Sequence, residues 1–188
     1  MPRRLTHIIG FDDAPFEQNY RGNVLVVGAV YSGLRLDAVL SSKVRRDGVN
    51  STRVLTDLVR GSRFRSQTHA VLLQGIALAG FNVVDLDKLH VELGIPVIMV
   101  TRRRPNMEAI RRALLSHVPG GRLKWQLIER AGPIEPIAGV YVQRRGCSLA
   151  ETEDLLRRFA VNSVIPEPLR TAHIIAGGIT LGESRHRV

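Results

Sequence analysis

Hydrophobic and polar positions change period along this chain, and each change marks an element. Residues 5–11 form a short apolar run cut off by Asp12 and Asp13, which predicts a first strand. The stretch NVLVVGAVY, residues 23–31, is strongly β-branched and predicts a second. After the Ser32-Gly33 turn a third strand covers residues 34–44, so the second and third form a hairpin. Residues 51–60 then switch to helical spacing, with Val54, Leu55, Leu58 and Val59 recurring on one face. From there strands and helices alternate. A strand at 70–73 precedes a helix at 85–93 that Gly94 ends. A strand at 96–101 precedes a helix at 107–118 closed by Pro119-Gly120-Gly121.

The last third is less regular. Residues 123–129 and 139–143 read as strands, and Ser148-x-x-Glu151 reads as a capping box opening a helix to Ala160. Residues 166–181 read as a final helix that Gly177-Gly178 should fray or bend. No repeat, low-complexity stretch or linker divides the sequence, so residues 1–188 read as a single domain. Three initial strands including a hairpin, then helix–strand–helix–strand–helix, is the order of an α/β RNase H-like fold, a mixed sheet flanked by helices. In that topology the first strand lies mid-sheet beside the fourth, so Asp12 and Asp13 face Gln74 across the strand ends. A doubly wound dinucleotide fold would instead begin with a strand–helix unit and a glycine fingerprint, and neither is visible.

Charge adds a partner class. The formal net charge is +10, the pI is about 11.1, and the only lysines are Lys43, Lys88 and Lys124. Arginine grips phosphates bidentately, so the excess points to a polyanion, although a GC-biased or thermophilic proteome gives the same composition. Arg45-Arg46, Arg111-Arg112, Arg144-Arg145, Arg157-Arg158 and the triplet Arg102-Arg103-Arg104 are dispersed, which describes a basic surface and not a basic tail. Cys147 is alone, which excludes a disulfide framework. Asp12 and Asp13 interrupt the N-terminal apolar run too early for a signal peptide. No apolar segment approaches the roughly 18 residues of a membrane span, so the expectation is a cytoplasmic protein with no membrane partner.

The residues that could carry chemistry lie mainly at predicted strand ends. Adjacent carboxylates at Asp12-Asp13 repel unless a cation or hydrogen-bond donors compensate, and strand alternation lets only one of them point into a shared site. A solvated turn is the bland alternative. Asp47 in RRDGVNSTR is a second candidate metal ligand, or a simple turn before the first helix. Asp57 reads as a solvated charge. Gln74 ends the run Val71-Leu72-Leu73, where a buried strand delivers one polar side chain to the sheet edge. Such edges hold the ligand sites of open α/β sheets. On the last helix Glu167, Arg170 and His173 share one face and could supply a ligand, a phosphate clamp and a proton-transfer group. Phe81 and Asn82 could stack on and read an extruded base, or cover a core edge. Arg102, Arg103 and Arg104 are candidate nucleic-acid contacts. His69, His90 and His117 fall in no metal-binding spacing, and Cys147 has no histidine near it in sequence.

IIGFDDAPF, GIALAGFNVVDLDKL, GIPVIMVTRRRPNMEAI, YVQRRG and IPEPLRTAHIIAGG with its later GES resemble the archaeal endonuclease dU family, a group related to endonuclease V. The resemblance runs nearly the whole chain, and GFNVVD and PEPLR-x-AH are specific strings. It implies an endonuclease V-like, RNase H-type domain that cleaves phosphodiesters of DNA carrying a deaminated base, deoxyuridine in particular. It also implies Mg2+ or Mn2+ as cofactor and DNA, with RNA as a possible competitor, as partner. The family's first-strand acid carries over onto Asp12 or Asp13, and the acid near the first helix onto Asp47. The family's fourth-strand run ends Asp-Gly, whereas this one ends Gln74-Gly75, and the segment Gly48-Val49-Asn50-Ser51 lacks an acid that the family tends to carry. Two readings stay open. One is a metal-dependent endonuclease weakened at Gln74, the other a catalytically lapsed nucleic-acid-binding or damage-recognition module.

Overall fold

The β-branched runs near the N-terminus pair with one another ahead of the first helix in the chain. In the computed structural model, which describes residues 3–185, β1 (His7–Asp13), β2 (Asn23–Ser32) and β3 (Arg35–Arg45) make an antiparallel meander. The chain then crosses through α1 (Ser51–Arg60) to β4 (Ala70–Gln74), which lies parallel to β1. A small hairpin of β5 (Ala77–Leu78) and β6 (Asn82–Val83) leads to α2 (Leu86–Leu93) and to β7 (Val97–Thr101), parallel to β4. The helices α3 (Met107–His117) and α4 (Gly121–Arg130) pack on each other before β8 (Glu135–Ile137) and β9 (Val140–Arg145) complete the sheet. Last come α5 (Leu149–Phe159) and α6 (Glu167–Leu181). The seven-stranded order is β3-β2-β1-β4-β7-β9-β8, so β1 and β4 are central and adjacent, as the RNase H-like order requires.

The two sheet faces are covered differently. α6 lies directly on β1 and β2, and Gly10 permits the contact: a Cβ there would sit 2.5 Å from the carbonyl carbon of Pro168. The opposite face carries Phe11, Leu73, Met99 and Val44, all fully or almost fully buried, with α1 against β3 and α2 against β7 and β9. Central strands buried on both faces read as continuous apolar runs, which is why β1 and β4 were legible. Among the described residues, no helix is long and apolar enough to cross a membrane.

Three expectations need correction. The first strand does not stop at Phe11, since Asp12 and Asp13 still pair with Val27 and Val26. Residues 123–129 are helical, within α4. Leu123, Trp125 and Leu127 alternate as a strand would, but Gly121, Lys124 and Ile128 are the buried positions, and their spacing is that of a helix face. Finally β8 escaped notice because it is three residues long and contains Pro136, which only an edge strand tolerates. The capping box holds: Ser148 accepts from Glu151 N, and the Glu151 carboxylate accepts from Ser148 N. Gly177 and Gly178 do not end α6, which continues to Leu181 and stops at a left-handed Gly182.

Candidate active site at the C-terminal edge of the central strands

β1 and β4 run side by side with Phe11 beside Leu73, and the next residue of each strand is polar: Asp12 and Gln74. Side chains alternate across a sheet, so Asp12 and Gln74 share the face that α6 covers, while Asp13 points to the other.

On the α6 face His173 meets Asp12, Nδ1 to Oδ2 at 2.8 Å. Asp12 is only 5% exposed. Burial pushes its pKa up, while the hydrogen bond from His173 opposes that push without cancelling it. Its second oxygen accepts from the backbone N–H of Asp13 at 2.9 Å. Beside it, the Gln74 side-chain carbonyl oxygen is buried and makes no hydrogen bond. A buried acceptor without a donor costs roughly 1–3 kcal/mol, so this one stands out. The sheet edge thus holds a carboxylate, an imidazole and a vacant amide oxygen on one face.

The other face is organised by the backbone of one loop. Asp13 Oδ2 accepts from Ala79 N at 2.8 Å. Burial and the neighbouring charge of Asp12 push the Asp13 pKa up to about 7. Ala79 O accepts from Asp47 N at 2.9 Å, and Asp47 Oδ1 accepts from Phe81 N at 2.8 Å. Asp47 Oδ2 lies 3.3 Å from Arg46 Nε, and the Asp47 carbonyl accepts from Lys124 Nζ. Asp47 and Ala79 both adopt left-handed backbone, with φ of 51° and 50°. Such conformations cost non-glycine residues of order 1 kcal/mol or more, and persist only where surrounding bonds over-determine them. Here those bonds tie Asp13, Ala79, Asp47 and Lys124 into one chain.

Other candidates lie elsewhere or are already engaged. Both Glu167 oxygens accept from Arg170 Nε, at 3.0 and 3.1 Å, and Oε1 also accepts from the side chain of Asn162 at 3.0 Å. Burial works against its charge, but those donors outweigh it and hold the pKa below the ordinary value. Glu167 and Arg170 therefore clamp the turn before α6, and only His173 of that trio reaches Asp12. Asn82 is fully buried, its amide bonded to Ser51 N, Arg45 O and Asn50 Oδ1. That placement stitches α1 to the preceding loop and leaves no edge to read a base. Phe81 is partly buried against the small cluster of Val83, Leu114 and Ile128. Arg102, Arg103 and Arg104 are exposed on the loop after β7, at the same sheet edge. Among the described residues, no three of His, Cys, Asp and Glu are gathered as a ready metal cluster.

A family model described as endonuclease dU matches residues 4–180. The chain belongs to the endonuclease dU family. A UPF0215 protein of Deinococcus radiodurans is 59% identical over 181 residues, covering 96% of this chain and 92% of that protein. A protein of unknown function from Archaeoglobus fulgidus has a crystal structure that superposes with a TM-score of 0.86 at 34% identity, covering 93% of this chain and 98% of that one. Ciona intestinalis endonuclease V, solved with a 24mer DNA containing an inosine followed by a ribo-adenosine, superposes at 0.57 with 13% identity, covering 89% and 83%. That last likeness establishes the shared endonuclease V-like fold.

Within this endonuclease dU family member, sequence reasoning passed over Lys124, Ala79 and Arg46. Lys124 is 2% exposed, and burial lowers its pKa while the Asp47 charge opposes. Its signal was present as the i, i+4 spacing with Ile128, masked by the alternation of neighbouring apolar residues. Ala79 acts through backbone N–H and C=O, which no residue type announces.

Proposed function

We propose that this chain is a metal-dependent endonuclease-like protein acting on DNA with deaminated bases, deoxyuridine in particular. The observation that carries the reading is the Asp12–His173 pair beside the unpartnered Gln74 oxygen. Magnesium prefers oxygen ligands and is usually held by one or two carboxylates plus a substrate phosphate, keeping several waters. Asp12 and the Gln74 carbonyl, which share the α6 face of the sheet edge, supply that donor type, while Asp13 and Asp47 stand on the other face. The raised Asp12 and Asp13 pKa values mark carboxylates that a cation would relieve. Bound there, Mg2+ or Mn2+ would activate water and neutralise charge building on the phosphate. His173, oriented by Asp12, holds or moves the proton. Arg102, Arg103 and Arg104 on the same edge supply phosphate contacts.

A second reading keeps the fold and the DNA partner without cleavage, and Gln74 favours it. An amide coordinates a cation but brings no charge, so a site relying on one fewer carboxylate binds its ion more weakly. Incubating a duplex bearing one deoxyuridine with Mg2+ or Mn2+ separates the two. Nicking lost in Asp12→Ala or Asp13→Ala supports the enzyme. Binding without nicking in the wild type, with nicking gained in Gln74→Asp, supports the lapsed module. No affinity for DNA or RNA at low salt in a folded sample would contradict both.

A further inference from the structure

The loop at residues 14–22, which follows Asp13 directly, has two unlike sides. On one lies a cleft of about 320 Å3 whose lining includes Arg21, Arg45, Arg46, Asp47 and His117. On the other lies a groove of about 730 Å3, walled by Phe16, Tyr20 and Leu25 and closed by Ile179 near the end of α6. Residues of this one loop line both.

Arg46 fixes the loop and is committed to that task. Its guanidinium donates to the carbonyls of Glu17 and Tyr20, sits 5.3 Å from the Phe16 ring centroid and reaches Asp47 through Nε. Arg21 and Arg45 are different. Both are exposed, and among the described residues neither side chain makes a hydrogen bond or ion pair. Asp47, the acid in the cleft, already accepts from Phe81 N and faces Arg46. The cleft therefore offers uncompensated guanidinium donors to an anion. Across the loop, Tyr20 is 42% exposed, its ring packed over Gly22 and its hydroxyl donating to Asn23 O, so an aromatic face is held in place.

Two guanidinium groups beside a mainly apolar aromatic groove match a nucleotide, which is an anion joined to a flat apolar base. We propose that the 14–22 loop is a nucleotide-reading element of the site. Arg21 and Arg45, with His117, take a backbone phosphate, and the groove takes the neighbouring base against Phe16 and Tyr20. This deepens the proposed function by naming the form of its substrate. A base stacked in a duplex has both faces covered, so the occupant is a base in a single strand or turned out of a helix.

Fluorescence anisotropy of a labelled single-stranded oligonucleotide, in EDTA and over a series of KCl concentrations, tests this without any cleavage. The Arg21→Ala/Arg45→Ala double variant should keep its circular dichroism and lose about 0.7 from the slope of log K against log salt, at roughly 0.7 per phosphate neutralised for single strands. Tyr20→Ala should weaken binding roughly ten-fold and leave that slope unchanged. An unchanged slope in the double variant, or unchanged affinity in Tyr20→Ala, would overturn the inference. So would inorganic phosphate competing as well as the oligonucleotide at equal ionic strength, since that describes a free-anion site. A slope that falls as expected in a protein that never nicks DNA leaves this inference standing and removes only the enzyme reading.

Discussion

Replacing Asp13 by Asn should stabilise the protein, increasingly so as pH rises from 3.8 to about 7. Asp13 titrates near 7 in the folded chain against an ordinary value of 3.8. Between those values the folded state holds a proton that the unfolded state has released, so wild-type stability falls as pH rises through that window. The full difference is about 4 kcal/mol at about 1.4 kcal/mol per pH unit. Relaxation at a strand end brings the expected effect to roughly 2 kcal/mol. The amide keeps the acceptor for Ala79 N and removes the repulsion from Asp12. Urea unfolding at pH 5 and pH 8 reads the result. Asp13→Asn should exceed wild type by about 1 kcal/mol at pH 5 and by roughly 2 at pH 8. Mg2+ should narrow the gap at pH 8, because a bound cation relieves the same repulsion. Equal destabilisation at both pH values would mean that the Asp13 charge is already compensated, and the argument for a cation at this edge would fail.

Other consequences follow from single contacts. Gly10→Ala places a Cβ 2.5 Å from Pro168 C and 2.7 Å from Leu169 N, both backbone atoms, so α6 must shift. Denaturant titration should show a loss of about 1–3 kcal/mol, and the NMR resonances of the His173 ring should change as α6 carries it away from Asp12. Lys124→Met removes the donor to the Asp47 carbonyl, and amide exchange should accelerate at Ala79 and Phe81, which the same network holds. Unchanged protection there would show that the left-handed pair needs no lysine. Arg3 and the Ser148 backbone hold Glu151 down to about 2 from an ordinary 4.5. Its contribution is complete above pH 4.5 and is lost as pH falls towards 2, so Glu151→Gln should flatten that part of an acid unfolding curve.

What was legible in the sequence follows from what was buried. β1 and β4 are buried on both faces, so their apolar runs and polar ends could be read, and the order of elements then set Asp12 beside Gln74. Asp12 and His173 lie 161 residues apart, and their bond depends on Gly10 letting α6 settle on β1, which spacing alone does not reveal. The Glu167–Arg170–His173 face was a sound helical inference. Asn162, from the preceding turn, captures Glu167 and splits the trio. The Asp47 geometry was illegible because its partners are mostly backbone groups of a loop and a lysine on a helix that alternates like a strand. The setting of Gln74 depended on tertiary placement: its oxygen lies buried without a donor, at the strand end beside that of Asp12.

A crystal soaked in Mn2+ and measured for anomalous scattering tests the central claim most directly. The account predicts one peak at the ends of β1 and β4, coordinated by the Asp12 carboxylate and by the Gln74 side-chain oxygen. Manganese bound elsewhere, with this edge empty and Gln74 turned to another partner, would contradict it.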